Sequence, residues 1–269
     1  MGKKDPGEIS MRACALASGS SGNSFYIEND DKQGILIDLG ITCKLACERL
    51  KHIKRSPENV KAIFLTHEHS DHIKGVDVFA RNFNVPIFLT KETSKETFIC
   101  SNQEMLNFIK NNETVKINGF DVQTFPKFHD GLNPVSYSIL SRNEVKTVSV
   151  MTDIGQVCKN VSEYASESDF LFIEANHDYG MLQDGPYPKF LKDRISSKLG
   201  HLSNFQSSIC LLEHARTKLK KIVLSHLSAV NNTPPVALKT MKSLLKERKD
   251  LEAEFHVSER DKATELFRV

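Results

Sequence analysis

The stretch Ala62-Ile63-Phe64-Leu65-Thr66-His67-Glu68-His69-Ser70-Asp71-His72 decides how this chain is read. Its first four residues are an apolar run of strand length, and beyond it Ile73, Val76, Phe79, Ala80 and Phe83 recur with helical spacing. The polar residues therefore stand where a buried strand ends and a helix begins. His67 and His69 are two apart in extended backbone, so both imidazoles face one way and can grip one cation. Asp71 and His72 come after the turn and can reach a second cation close by. Imidazole and carboxylate donors suit Zn2+ or Mn2+.

Working outward, short apolar strands are expected at Arg12–Ala17, Phe25–Glu28 and Gly34–Asp38, a helix over Lys44–His52, and strands at Ala62–Leu65 and Pro86–Leu89, with Ile73–Phe83 helical between them. The middle is β-rich, with strands expected at Thr114–Ile117, Phe120–Phe125, Val135–Leu140, Val145–Met151 and Phe170–Glu174. The last third mixes helices (Asn204–His214, Pro235–Glu247) with strands (Ile222–Leu224, Glu252–Val257, Thr264–Phe267). Strand runs followed by strand–helix alternation, twice over, predict an α/β fold: an αββα sandwich of two mixed β-sheets flanked by helices. No long linker interrupts the sequence, so residues 11–269 read as a single domain. Residues 1–10, polar and ahead of the first strand, read as a leader or an expression remnant.

A net charge of +2 neither demands nor excludes a nucleic-acid partner. No apolar run approaches the ~18 residues a membrane span needs, and no apolar signal core stands near Met1, so no membrane association is expected. The six cysteines form no CxxC pair, and Cys43 and Cys47 fall four apart on an expected helix. Free thiols in a reducing, cytoplasmic compartment are the simplest reading.

The His-x-His-x-Asp-His segment resembles the signature motif of the metallo-β-lactamase superfamily, and that resemblance implies the rest of a ligand set. In that family an earlier strand ends in aspartate, as in Ile35-Leu36-Ile37-Asp38-Leu39-Gly40, which would make Asp38 the residue that orients a metal ligand. A third histidine follows a strand, as in Phe125-Pro126-Lys127-Phe128-His129. A bridging carboxylate ends another, as in Val150-Met151-Thr152-Asp153, and a last histidine ends a late one, as in Ile222-Val223-Leu224-Ser225-His226. The resemblance thus implies His67, His69 and His129 on one divalent ion, Asp71, His72 and His226 on a second, and Asp153 between them. Position 69 is His, where the di-iron oxygen-reducing branch has Glu, and position 153 is Asp, where the secreted β-lactamases have Cys. Hydrolysis is therefore expected over redox chemistry. Two such cations lower the pKa of a shared water and absorb charge on a phosphoryl or carbonyl oxygen. Asp71 can also accept a hydrogen bond from that water.

Further phrases narrow the branch. Ala17-Ser18-Gly19-Ser20-Ser21-Gly22-Asn23-Ser24, Glu174-Ala175-Asn176-His177-Asp178, Gly185-Pro186-Tyr187-Pro188, Gly200-His201-Leu202-Ser203-Asn204 and Leu227-Ser228-Ala229-Val230-Asn231-Asn232-Thr233-Pro234 resemble the WalJ (YycJ) type of this superfamily. Over residues 11–257 that resemblance implies a cytosolic nuclease with a nucleic-acid substrate, DNA rather than RNA, cut as a 5′-to-3′ exonuclease. By similarity to the tRNA-processing members, His201 would protonate the leaving 3′ oxygen. Ser203 or Asn204 caps the following helix, which sets His201 near N–H groups able to meet an anion, and Asn204 is a further candidate substrate contact. His177 would touch substrate or orient another ligand. Ser20 and Asn23 lie in a Gly/Ser-rich stretch that either offers N–H groups to a phosphate or is a plain tight turn.

Two basic runs, Lys239, Lys242, Lys246 and Lys249, and Lys189, Lys192, Arg194 and Lys198, either track phosphates or are solvated faces. The interval between Asp153 and His226 is too short for the extra domain that caps larger nucleases of this fold. Two rivals stand beside the exonuclease: a thioester or small phosphoester hydrolase on the same metal pair, and a metal-bound regulatory protein.

Overall fold

The structure, a computed structural model, describes residues 11–269; the expected leader lies outside them. Its strands are β1 (Arg12–Ala17), β2 (Ser24–Glu28), β3 (Gly34–Ile37), β4 (Val60–Phe64), β5 (Ile87–Thr90), β6 (Leu106–Ile109), β7 (Thr114–Ile117), β8 (Phe120–Pro126), β9 (Val135–Ser141), β10 (Lys146–Met151), β11 (Phe170–Glu174), β12 (Lys221–Ser225), β13 (Glu254–Val257) and β14 (Phe267–Arg268). They form two seven-stranded sheets, ordered β14-β1-β2-β3-β4-β5-β6 and β13-β12-β11-β10-β9-β8-β7. Each sheet is mixed. β14, β1, β2 and β3 pair antiparallel and β3 to β6 parallel. In the other sheet β7 to β10 pair antiparallel and β10 to β13 parallel.

The helices are α1 (Cys43–His52), α2 (Ser70–Ile73), α3 (Val76–Phe83), α4 (Lys159–Glu167), α5 (Tyr179–Asp184), α6 (Lys189–Ile195), α7 (Asn204–His214) and α8 (Pro234–Leu245). Apolar residues make three layers. Phe25, Phe64, Tyr137, Phe170 and Phe172 pack between the sheets; Leu50, Phe79 and Ala80 seat α1 and α3 on the first sheet; Val161, Leu211 and Met241 seat α4, α7 and α8 on the second. Each fully buried aromatic contributes roughly 1.5–3 kcal/mol of transfer free energy. Tyr137 buries its ring in the inner layer and donates its hydroxyl to the Leu65 carbonyl at 2.7 Å. That bond ties β9 to the segment that delivers the histidine cluster. The αββα expectation holds.

Local departures have local causes. The helix expected over Ile73–Phe83 is broken in two, because Gly75 approaches the opposite loop so closely that a Cβ there would lie 2.1 Å from the Ile41 carbonyl oxygen. The phrase after β11 carries two short helices the sequence did not predict, α5 and α6, on either side of the non-helical Gly185–Pro188. α4 and the short edge strand β6 were not expected. α4 is polar and serine-rich, with Val161 and Ala165 buried beneath it, and β6 has only four residues. The strand expected at Thr264–Phe267 shrinks to Phe267–Arg268.

Candidate metal centre

Strands β3, β4, β8, β10, β11 and β12 all end toward one edge of the sandwich, and the loops that follow them carry the polar cluster. Three chain reversals there are tight: Asp38, Asp153 and His226 have φ of +58°, +56° and +58°. Left-handed backbone at a residue with a Cβ costs of order 1–3 kcal/mol, and Asp and His tolerate it better than most. Strain is thus concentrated where strand ends hand side chains to the site. Gly40, just past Asp38, admits the Asp71 backbone: a Cβ on it would lie 1.6 Å from the Asp71 carbonyl oxygen.

The structure brings together all seven residues that the sequence assigns to metal. His67 Nε2 lies 3.0 Å from His69 Nδ1, and the His129 ring completes the trio, 4.9 Å from that of His67 between centroids. Ligating atoms of His67, His69 and His129 all lie within 4.8 Å of one another, as do those of Asp71, His72 and His226. Asp153 stands between the groups, its Oδ2 3.3 Å from His72 Nε2 and its Oδ1 3.8 Å from His129 Nε2.

Nearly every imidazole is held from behind. His67 Nδ1 meets Thr66 Oγ1 at 2.8 Å, and that hydroxyl donates to Asp38 Oδ2 at 2.8 Å. His72 Nδ1 meets the same Asp38 oxygen at 2.7 Å, His129 Nδ1 the Gly200 carbonyl at 3.1 Å, and His226 Nδ1 meets Glu174 Oε1 at 2.9 Å. An oxygen on Nδ1 fixes the proton there and leaves Nε2 with its lone pair facing the site. His69, whose Nδ1 itself faces the cluster, is the exception.

A cation fits this donor set. His129 Nε2, His226 Nε2 and Asp153 Oδ2 are buried and have no hydrogen-bond partner among the described residues, which is costly unless something else meets them. Burial holds the His67 and His129 imidazoles below their usual range, His129 at about 4, so both are neutral as ligation requires. For His226 burial is outweighed by the pull of the Asp153 and Asp71 carboxylates and by the Glu174 hydrogen bond, which drive its pKa well up. For Asp153 the reverse holds: burial is outweighed by His226, His72 and Lys127, and its carboxyl is held well down. Carboxylates gathered this densely need positive charge.

Residues 17–136 match the family model of the Metallo-beta-lactamase superfamily. Exodeoxyribonuclease WalJ of Streptococcus pneumoniae serotype 2 is 36% identical over 242 residues, covering 87% of this chain and 88% of that protein. Exodeoxyribonuclease YycJ of Bacillus anthracis is 33% identical over 243 residues, 89% and 91% of the two chains. The chain belongs to the metallo-β-lactamase superfamily. Unliganded yeast PDE1 shares the fold, with a TM-score of 0.71 at 13% identity over 96% of this chain and 99% of that one.

Around this metallo-β-lactamase centre several residues sit differently from the sequence reading. Asn23, offered as a phosphate contact, is wholly buried: its amide bonds Gly19 on one side and Asp71 Oδ2 at 3.3 Å on the other. It positions Asp71 and is not within reach of a substrate. The Ser/Gly stretch around it is an internal clamp, with Ser18 Oγ accepting from the His226 N–H at 2.7 Å; Ser20 alone of the two proposed contacts there is exposed. Asn204, also offered to substrate, is buried with its amide paired to that of Asn232. His177 is buried too, burial pushes it down to about 4 so that it is neutral, and its backbone bridges to Ser203 while its Nδ1 has no hydrogen-bond partner among the described residues. His201 keeps one-fifth of its side chain exposed, with Nδ1 anchored 2.9 Å from Glu174 Oε1.

Glu174 is the residue that sequence reasoning quoted but did not use. It is fully buried, and its Oε1 accepts from both His201 and His226 while Oε2 accepts from the N–H groups of Ile154 at 2.7 Å and Leu202 at 3.1 Å. Burial alone would raise its pKa; the two facing imidazoles outweigh that and hold it at about 2. Lys127 was missed as well. It is buried, donates Nζ to the Thr152 carbonyl at 2.7 Å and adds positive charge beside Asp153.

The Asp38 arrangement gives a direct test. Asp38→Asn preserves shape but sets an amide N–H against a donor, since Thr66 N–H, Thr66 Oγ1–H and His72 Nδ1–H all point at this carboxylate. His72 must then change tautomer or turn away. Metal affinity, read by competition with a chromogenic chelator, is expected to fall about 10–100-fold with the fold intact by circular dichroism.

Proposed function

We propose that this protein is a nuclease dependent on two divalent ions, Zn2+ or Mn2+, that hydrolyses phosphodiester bonds in DNA from the 5′ end. The observation that carries this reading is the meeting of the seven candidate ligands with a partly exposed candidate acid, His201, beside them, in a chain aligned almost end to end with exodeoxyribonucleases. His67, His69 and His129 would hold one ion, Asp71, His72 and His226 the other, with Asp153 shared. Bound there, the pair supplies Lewis acidity to activate water and to offset charge on the phosphoryl oxygens.

The chain's own groups supply the rest. Asp71 is the ligand carboxylate most open to solvent, and Asn23 fixes it to accept a hydrogen bond from the attacking water. As the water oxygen attacks phosphorus and the bond to the 3′ oxygen breaks, His201 gives its proton to that oxygen. Glu174 holds His201 Nδ1–H and steadies the imidazolium, so Nε2 is the edge turned to substrate. The six free cysteines suit a reducing cytoplasm, and no helix among the described residues is long and apolar enough to cross a membrane. Residues 11–269 act as one unit in this reading.

The test is a pair of single-stranded DNA substrates labelled at the 5′ or the 3′ end, incubated with Mn2+-loaded protein. Labelled mononucleotide should appear first from the 5′-labelled strand. Turnover of an aryl diester or a thioester with no cleavage of either strand would replace this reading with the small-substrate hydrolase.

A further inference from the structure

Resting on the nuclease reading, we propose that the outer face of α6 and the lip beside it form a platform for single-stranded nucleic acid. Phe190 and Phe128 stack on bases there, and Arg194 and Lys198 meet phosphates.

Large apolar side chains are exposed on this rim: Phe190 at 74%, Leu199 at 49% and Phe128 at 44%. Singly, such residues need no explanation. These, however, are tied to a candidate metal ligand by a short chain of contacts. Phe128 precedes His129, and its carbonyl accepts from the Gly155 N–H at 2.7 Å. The Leu199 carbonyl accepts from the Asp130 N–H at 3.1 Å, and the adjacent Gly200 carbonyl holds His129 Nδ1. Asp130 places Oδ1 3.1 Å from His129 Nε2 and gives Oδ2 to Arg194 in a two-pronged pair, 2.9 Å to Nε. Phe190 and Arg194 are four apart on α6, so they share one helix face. Contacts run from His129 through Asp130 to Arg194, and α6 presents Phe190 one turn away on the same face.

The chemistry of that line names its ligand. Asp130 pins the Arg194 guanidinium by one edge, yet 61% of the side chain remains exposed, leaving donors free for a second anion. Lys198 is exposed and has no ion pair among the described residues, while its backbone packs on Gly155, two residues from Asp153. Fixed cations beside bare aromatic faces suit a polyanion that also carries flat π-systems. In a duplex the base faces are already stacked on one another, so a single strand is the form that can use Phe190.

Binding of a labelled oligothymidylate with phosphorothioate linkages, followed by fluorescence anisotropy on the metal-loaded protein, tests this. Phe190→Ala should weaken binding about five- to a hundredfold, while Phe190→Tyr, which keeps the ring, stays within about twofold of the parent. Lys198→Glu should flatten the dependence of log Kd on log salt by about 0.7, the share of one phosphate contact on a single strand. A blunt duplex should compete poorly. Unchanged binding by Phe190→Ala, equal losses for the alanine and tyrosine variants, or a duplex that competes as well as the single strand overturns the platform alone. A parent protein that binds no oligonucleotide overturns the nuclease reading beneath it.

Discussion

Glu174→Gln is expected to lower kcat/KM on DNA by about a thousandfold and to destabilise the fold by about 3–5 kcal/mol, although glutamine has almost the same shape. Four donors converge on this side chain: two imidazole Nδ1–H groups on Oε1, and the Ile154 and Leu202 N–H groups on Oε2. A carboxylate accepts at both ends. An amide cannot, and whichever end carries its NH2 sets two N–H groups against two donors in a fully buried position. If the amide faces the imidazoles, His226 loses the bond that orients it toward the candidate metal, and His201 loses the partner that would stabilise its charged form. If it faces the backbone, the loops carrying Ile154 and Leu202 must shift, and they flank Asp153 and His201.

The pH dependence follows from the sign of the shift. A carboxyl held at about 2 in the fold and at 4.5 when unaffected contributes stability that is complete above about pH 4.5 and is lost as pH falls toward 2. The stability gap between the parent and Glu174→Gln, read from urea unfolding of metal-free protein, should therefore be full at neutral pH and close across that acid window. A glutamine variant with parental activity and an unchanged urea midpoint would show that Glu174 is a spectator.

Why Glu174 was not legible while His67 was is a matter of where the information lies. His67, His69, Asp71 and His72 stand within one turn, so their spacing carries meaning before any tertiary structure exists. His129, Asp153 and His226 are single residues, meaningful only because each ends an apolar run and because the resemblance supplied their order. Glu174 also ends such a run, Phe170 to Ile173. Its partners, however, lie 20 to 52 positions away in the chain, and nothing local separates it from an ordinary strand-end acid. The reverse error has the same origin. Asn23 and Asn204 look like polar loop residues free to meet a ligand, and it takes the opposing Asp71 and Asn232 to show that their amides are spent inside the protein. Central strands such as β2, β3 and β11 were readable because burial on both faces leaves continuous apolar runs. α4 was not, because its exposed face is polar and its buried side offers few apolar residues, chiefly Val161, Ala165 and the Tyr164 ring stacked on Phe125.

Stripping divalent ions with a chelator and returning Zn2+ or Mn2+ should raise the Tm by roughly 5–10 °C for each site filled at about a hundredfold excess over its Kd. The fold as it stands holds costs that a cation would offset. Three left-handed residues, Asp38, Asp153 and His226, and three orphaned buried atoms, His129 Nε2, His226 Nε2 and Asp153 Oδ2, lie around the same small volume. The unfolded chain has none of this geometry, so an ion that these groups hold together binds the native state almost exclusively and shifts the equilibrium toward it. Mg2+ and Ca2+, which prefer all-oxygen shells, should give little of the gain, because five of the seven candidate ligands are imidazoles. Asp153→Ala removes the carboxylate shared between both groups and should abolish most of the shift for both ions, whereas Asp71→Ala touches one group and should leave about half. Scanning calorimetry alongside metal analysis separates these outcomes. A Tm indifferent to Zn2+ and Mn2+ in the parent would mean that the imidazoles are held apart by their own hydrogen bonds and not by a need for metal.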